Sequence, residues 1–385
     1  MRLLTNPVRD YAWGSDEAIA RLQGRPVPAP GPEAELWMGA HPTAPSRVAA
    51  TGQPLPDLIA TAALATLGAP VVERFGPRLP YLLKVLAAAR ALSLQVHPDL
   101  AQARQGFATE LAAGSSRNYV DPNHKPELLV ALEPFEALCG FRAPEASAED
   151  LAALGVSALT PVVAALSSSD GEGVRLRRAV NLLLAWPAAE RSDLVKAVAV
   201  AARERGPALA VTLAEQHPAD PGVVLALLLN HVRLQPDQAI YMPAGNLHSY
   251  LQGVGVEIMA ASDNVLRCGL TPKHVDADET VRILRFEVLV APVVAASAIG
   301  PGLVTWPVPV PDFALVQAAP AVAGGPVVLP GAGPRIVACV RGTAALRGAD
   351  AELALPSGGA VFVAADEAPV TVAGDAVVFQ ASPGL

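Results

Sequence analysis

Lysine is scarce in this chain of 385 residues: of 28 basic residues only four are lysine, namely Lys84, Lys125, Lys196 and Lys273. Arginine supplies the charge almost everywhere else, so each remaining lysine is a candidate for a place that needs a compact ammonium and not a planar guanidinium. Cysteine is scarce too. Cys139, Cys268 and Cys339 are far apart, odd in number and without a CxxC pair. That excludes a disulfide framework and a thiolate zinc site, and it fits a reducing cytosol. All three read as small buried apolar residues. No apolar run reaches the length of a bilayer span, the longest clean one being VVLALLL at 223–229. The N-terminal MRLLTNPVRDYAWGS has no apolar signal core and no small-residue cleavage site. A soluble, cytoplasmic protein is expected. A net charge of −8 leaves no basic surface for nucleic acid or an anionic membrane, so neither is expected as a partner. There is no Walker lysine loop and no GxSxG, and GAGPRI at 331–336 lacks the third glycine and the βαβ setting of a dinucleotide loop.

What is present is a large apolar fraction, 52% of residues, although much of it is alanine, which buries little area. The length suggests two or three domains. Residues 1–150 mix turns with short β-like runs and one helix candidate, LPDLIATAALATLG at 55–68, ended by Gly68. Two polar-aromatic clusters stand out there, DYAWGS at 10–15 and EAELWMGAHP at 33–42. From about 147 to 230 leucine, alanine and arginine recur at helical spacing, broken at GEG and by prolines, as in LRRAVNLLLAW. This reads as a helical insertion. QAIYMPAGNLHSYLQGVGVEIMAAS returns to a strand pattern. From 286 onward short valine-rich runs split by Pro and Gly predict an all-β domain of the sandwich or jelly-roll kind.

The chemistry-bearing residues are few. In SLQVHPD at 93–99, Gln95 and His97 are two apart and share one face if the stretch is a strand. Glu127 opens the apolar run of NHKPELLV, and His248 closes PAGNLH. Two neutral imidazoles with a carboxylate and an amide oxygen suit zinc or a similar divalent ion that keeps an open position. Any one histidine of the seven is more often a hydrogen-bonded core or surface residue. The setting of His248 raises its standing: Pro243-Ala244-Gly245 then His248 has the form PxGxxH, in which a rigid turn sets a strand end.

PxGxxH resembles the second motif of the cupin superfamily, and QVH stands where the first cupin motif has HxH. The usual glutamate shortly after HxH is missing, with Ala and Gln at 101 and 102, which leaves Glu127 as the candidate carboxylate. Taken with YAWGS, AELWMGAHPTAPS, LPYLLKVLAAARALSLQVHPD, NYVDPNHKPELLVAL, CGFR, PDFALV and above all SDNVLRCGLTPKHVD, the chain resembles the type I phosphomannose isomerases over nearly its whole length. The resemblance implies one zinc ion per chain on Gln95, His97, Glu127 and His248. It implies catalytic roles for Lys125, Glu257 and Arg267, and substrate binding by Ser93 near the phosphate, Asp263 and Lys273; Trp13 is a candidate for the substrate pocket by its residue type alone. Trp37 is a further pocket candidate, although a tryptophan is more often simple packing. The implied fold is mainly β with a helical insertion: a cupin-type jelly-roll catalytic barrel in two parts, 1–148 and 231–285, a helical subdomain at 149–230, and a second jelly-roll-like β domain at 286–385. A monomer is implied.

The reaction so implied interconverts mannose 6-phosphate and fructose 6-phosphate through an enediol. It needs a base, charge stabilisation at O1 and O2, and ring opening. Glu257, Lys125 or a water on the metal are the candidate bases, and Arg267 is the candidate for enediolate charge. A non-catalytic sugar-phosphate-binding cupin and another metal-dependent cupin enzyme are the alternatives. Lys273→Arg is expected to harm a closed phosphate pocket more than a charge-conserving change normally would.

Overall fold

The computed structural model describes residues 1–115, 118–349 and 351–385. Among them, two antiparallel sheets of eleven strands each lie on either side of a shared apolar core, and a block of helices packs at one end of the first.

The first sheet is organised by the strand His248–Ala260. Its second half, from 253, pairs with Tyr81–Ala88 on one side and, from 255, with Glu127–Ala131 on the other. Its first half leaves both and pairs instead with Phe135–Phe141, while His248 itself lies opposite Gln95 of Leu94–Val96. The exchange of partners occurs at Gly253, where φ is 131° and a Cβ would lie 2.7 Å from the Phe135 ring. Only glycine passes both restrictions. The strand therefore bends there, and the sheet curls until His248 and Glu257, on one strand, face a common interior.

Alternation decides which side chains reach that interior. Along Tyr81–Ala88 every residue is buried, but Tyr81, Leu83, Val85 and Ala87 enter the core between the sheets, whereas Leu82, Lys84 and Leu86 line a cavity. Glu35–Gly39 follows the same rule, with Leu36 and Met38 in the core and Glu35 and Trp37 at the cavity. The core is completed from the second sheet by Trp306, Leu315, Ile336, Phe362 and Phe379. Tyr81 fastens the layers by donating its hydroxyl to the carbonyls of Pro334 and Ala381, at 3.0 and 3.1 Å.

The second sheet is built from residues after 296 with two additions: the N-terminal strand Arg2–Thr5 pairs with Ala360–Val363, and Arg47–Val48 pairs with Arg2–Thr5. No periodicity in either segment announces that crossing. The helical region runs from Pro144–Ala153 to Gly222–Ala226. Its central helix, Glu172–Leu184, buries Leu176, Ala179, Val180 and Leu183, the spacing of one amphipathic face. Gly171 caps that helix, so the break at GEG falls at its start.

Two local expectations need correction. The segment 55–68 is not one helix: Ala62, at φ −150° and ψ 60°, divides Leu55–Thr61 from Ala63–Leu67. Gly68 does end the second piece, but Pro70 in the first turn starts a third, Ala69–Phe75. The helix Leu100–Ala112 escaped the reading of apolar spacing. Its signal is a capping box: Asp99 accepts from Gln102 N–H at 2.8 Å, and Gln102 accepts from Asp99 N–H at 2.9 Å. No helix among the described residues is long and apolar enough to cross a membrane.

Candidate metal centre and active site

Three strands and a turn bring His97, Glu127 and His248 together, with ligand-capable atoms all within 4.8 Å of one another and each side chain buried. The carboxylate of Glu127 sits between the imidazoles, 3.5 Å from His97 Nε2 and 3.2 Å from His248 Nε2. The turn before His248 is held by Gly245, at φ 80°, which donates its N–H to the His97 carbonyl at 2.8 Å.

Both rings are oriented from behind. His97 Nδ1 lies 2.8 Å from the Asn264 carbonyl and His248 Nδ1 lies 3.0 Å from the Asn246 carbonyl. A carbonyl only accepts, so each Nδ1 carries a proton and each Nε2 is the nitrogen left to face the Glu127 carboxylate. Asn264 is itself saturated: its Oδ1 accepts from Val120 N–H and its Nδ2 donates to the Asp121 and Asn123 carbonyls. This gives the SDN block a physical role, since the fully buried amide fixes the carbonyl that fixes His97.

His97 Nε2 has no hydrogen-bond partner among the described residues although it is buried. Two imidazole nitrogens thus converge on one carboxylate, which the Lys125 ammonium also reaches. Burial, then the Lys125 ammonium, push the His97 pKa down to about 4, so the ring is neutral near pH 7. Burial alone acts to raise Glu127, but Lys125, 2.8 Å away, and His97 hold it well below the usual carboxylate range. A neutral His97, a second imidazole whose Nε2 faces the same point and an ionised carboxylate fit a divalent cation of zinc type. Gln95, opposite both His248 and Arg267 in register, lines the same cavity.

Beside this cluster the cavity, about 820 Å³, holds a second buried group of charges. Lys84 Nζ lies 3.0 Å from Glu257 and 3.3 Å from Glu35. Tyr250 donates its hydroxyl to Glu257 at 2.7 Å, and Trp37 donates its indole N–H to Glu35 at 2.8 Å. Lys84 also lies over the Trp37 ring, 5.4 Å from its centroid. Burial raises the Glu257 pKa against the opposing pull of Lys84, with Glu127 and Glu35 adding to the rise. Burial also disfavours the Lys84 ammonium, yet Glu257 and Glu35 more than offset it and its pKa rises. Glu35, Glu127 and Glu257 against Lys84 and Lys125 leave one excess negative charge when all are ionised. A bound dication would turn that excess positive and make the interior receptive to an anion.

The other candidates lie toward the mouth. Arg267 is half-buried, with its pKa lowered by burial alone, and Ser93 and Trp13 line the wall. Trp13 stacks on Tyr11 with ring centroids 5.7 Å apart. Asp263 receives His41 Nε2 at 3.0 Å, an arrangement that lowers its pKa although burial opposes it. Lys273 is exposed at the rim, not enclosed. Glu35, Tyr250 and His41 were absent from the candidates read off the sequence, and Lys84 was singled out only as a scarce lysine, with no place in the site. For Lys84 a signal existed: it is one of four lysines and the sole charge in YLLKVLAA.

A family model for the catalytic domain of type I phosphomannose isomerase matches residues 1–144. The chain is 40% identical to the mannose-6-phosphate isomerase of Salmonella typhimurium and 41% identical to that of Escherichia coli, over 97% of this chain and 97% of each relative. Among solved structures, a point mutant of the Salmonella typhimurium phosphomannose isomerase superposes with a TM-score of 0.91 at 38% identity, covering 100% of both chains. A mannose 6-phosphate isomerase bound with zinc and yttrium superposes with a TM-score of 0.90 at 38% identity, again over 100% of both chains.

Proposed function

The chain belongs to the type I phosphomannose isomerases, and from that premise we propose how its buried charges carry out the interconversion of mannose 6-phosphate and fructose 6-phosphate. The observation that carries the reading is the convergence of His97 and His248 Nε2 on the Glu127 carboxylate, with both Nδ1 atoms occupied by backbone carbonyls. These three residues and Gln95 would hold one zinc ion. Bound there, zinc supplies a Lewis acid for the sugar oxygens.

The chain's own residues do the rest. Glu257 moves the proton between C1 and C2: it is a buried carboxyl of raised pKa, braced by Tyr250 and Lys84. Lys125 is committed to Glu127 at 2.8 Å, which disfavours it as a base and suits it to hold the ligand ionised. Arg267 offsets enediolate charge, and Ser93, Asp263, Lys273 and Trp13 receive the remainder of the sugar phosphate.

The architecture in this reading is a cupin-type jelly roll formed by 1–148 and 231–285, a helical insertion at 149–230 and a jelly-roll-like domain at 286–385, to which the strand Arg2–Thr5 is added. The bend at Gly253 and the pairing of His248 with Gln95 across the insertion support it. The reading also takes the protein as a cytoplasmic monomer without nucleic-acid or membrane partners, in keeping with a net charge of −8. A coupled assay for fructose 6-phosphate formation, before and after chelation, tests it. Activity lost with the metal and restored by zinc is expected; activity untouched by complete metal removal would contradict it.

A further inference from the structure

Two loops bear cations at the mouth of the cavity. Arg90 lies on the segment that leads to Ser93, and Lys273 follows the strand that carries Arg267. Both loops are tied to one short stretch of the helical region. Gln216, the last residue of Ala208–Gln216, accepts through Oε1 from the Ala91 N–H at 3.1 Å. Asp220, just before Gly222–Ala226, accepts through Oδ2 from the Thr271 N–H at 3.0 Å and through Oδ1 from the Gly222 N–H at 2.8 Å. Thr271 Oγ1 in turn accepts from the Lys273 N–H at 3.1 Å.

Around Asp220 the backbones themselves touch. A Cβ on Gly222 would lie 2.7 Å from Leu270 N, and one on Gly269 would lie 2.8 Å from the Gly222 Cα. Leu270 keeps φ at 54°, a region a side chain disfavours and that persists where neighbours enforce it. His217, between the two ties, lines the cavity, and its Nε2 is buried without a partner among the described residues. Burial and then repulsion from the Arg267 guanidinium lower the Lys273 pKa. A doubly charged phosphate is the complement of such a rim.

We propose that residues 216–220 form a strap by which the helical region sets the spacing of the two cation-bearing loops, with Gln216 and Asp220 as positioning residues for the phosphate of the substrate. The proposal deepens the isomerase reading and rests on it for the identity of the anion. The strap's hydrogen bonds go to the backbone of the two loops assigned to the phosphate end, and Gln216 and Asp220 bond to none of the residues assigned to the metal. Its loss therefore weakens binding more than it slows turnover.

The test compares the full-length protein with Asp220→Ala, Gln216→Ala and Gln216→Glu, reading KM and kcat for mannose 6-phosphate and the Kd of inorganic phosphate by calorimetry. In both alanine variants KM and the phosphate Kd are expected to rise about tenfold while kcat changes less than about threefold. Gln216→Glu keeps an acceptor for the Ala91 N–H and should return both constants to within about twofold of the parent. Should Asp220→Ala fail to fold, the Gln216 pair decides alone. Unchanged phosphate affinity and KM in the alanine variants, or no rescue by Gln216→Glu, would overturn the strap. A parent protein that binds phosphate but does not isomerise would overturn the isomerase reading, and the phosphate Kd values would still judge the strap.

Discussion

The two sheets have the same number of strands among the described residues and share a core, yet their far faces are built on opposite rules. The face of the second sheet turned away from the first packs Val337, Cys339, Val361, Val363, Val372 and Val378 into an apolar cluster. The corresponding face of the first sheet carries Glu35, Lys84, Glu127 and Glu257, all buried. Burying such charges costs more than their attraction returns unless geometry and hydrogen bonds are good, whereas valines on the same pleat pack at no such cost. The same architecture thus serves stability on one sheet, and on the other a polar interior retained for chemistry.

That contrast is broken most severely by Glu257→Gln. It preserves shape, so the melting temperature should move by only a few degrees, while kcat should fall by about 10³-fold if Glu257 is the proton carrier. Thermal unfolding and the coupled assay read the two effects separately. A variant with near-parent turnover would remove Glu257 from that role.

The opposite outcome is expected on the second sheet. Phe379→Ala removes a fully buried ring stacked on Trp306, with centroids 6.0 Å apart. It should destabilise the protein by about 3–5 kcal/mol in denaturant titration while the folded fraction keeps its kcat. Loss of kcat per folded molecule would mean that the second sheet shapes the site directly.

Asn264→Ala sharpens the contrast within the first sheet, because Asn264 touches no ligand-capable atom of the cluster except through its carbonyl to His97. Competition with a chelator should show metal affinity weakened by about 10–100-fold. Parent-like affinity would show that His97 is held without it.

Lys273→Arg is the mildest of the four. The sequence suggested a closed pocket intolerant of the wider group, but Lys273 is exposed at the rim. There a guanidinium serves nearly as well, and kcat/KM should change by about threefold or less. A larger loss would return Lys273 to the enclosed part of the site.

The balance of charged and apolar faces also explains what was legible in the sequence. Gln95 and His97 stood out as polar residues two apart beside an apolar run, and His248 by its PxGxxH setting, while the family resemblance joined them with Glu127 into one ligand set. The helical region was legible from its 3.6-residue period, as in Leu176, Ala179, Val180 and Leu183. Lys84 and Glu35 were not placed, because their meaning depends on cross-strand register: Lys84 lies opposite Glu257 on one side and Trp37 on the other. Register is set by the whole sheet, and no local pattern encodes it. The insertion of Arg2–Thr5 into the second sheet, and the strap at 216–220, are likewise products of contacts between residues far apart in the chain. The helix at 55–68 broke at Ala62 although its composition favoured continuity.

In the proposed reading, the buried cluster of the first sheet holds one catalytic metal ion. Metal content and isomerase activity measured on the same preparations of the parent, His97→Ala and His248→Ala test it most directly. One zinc per chain in the parent, with zinc and turnover lost together in each variant, is the expected result. Variants that keep a full complement of zinc and parent-like turnover would contradict it.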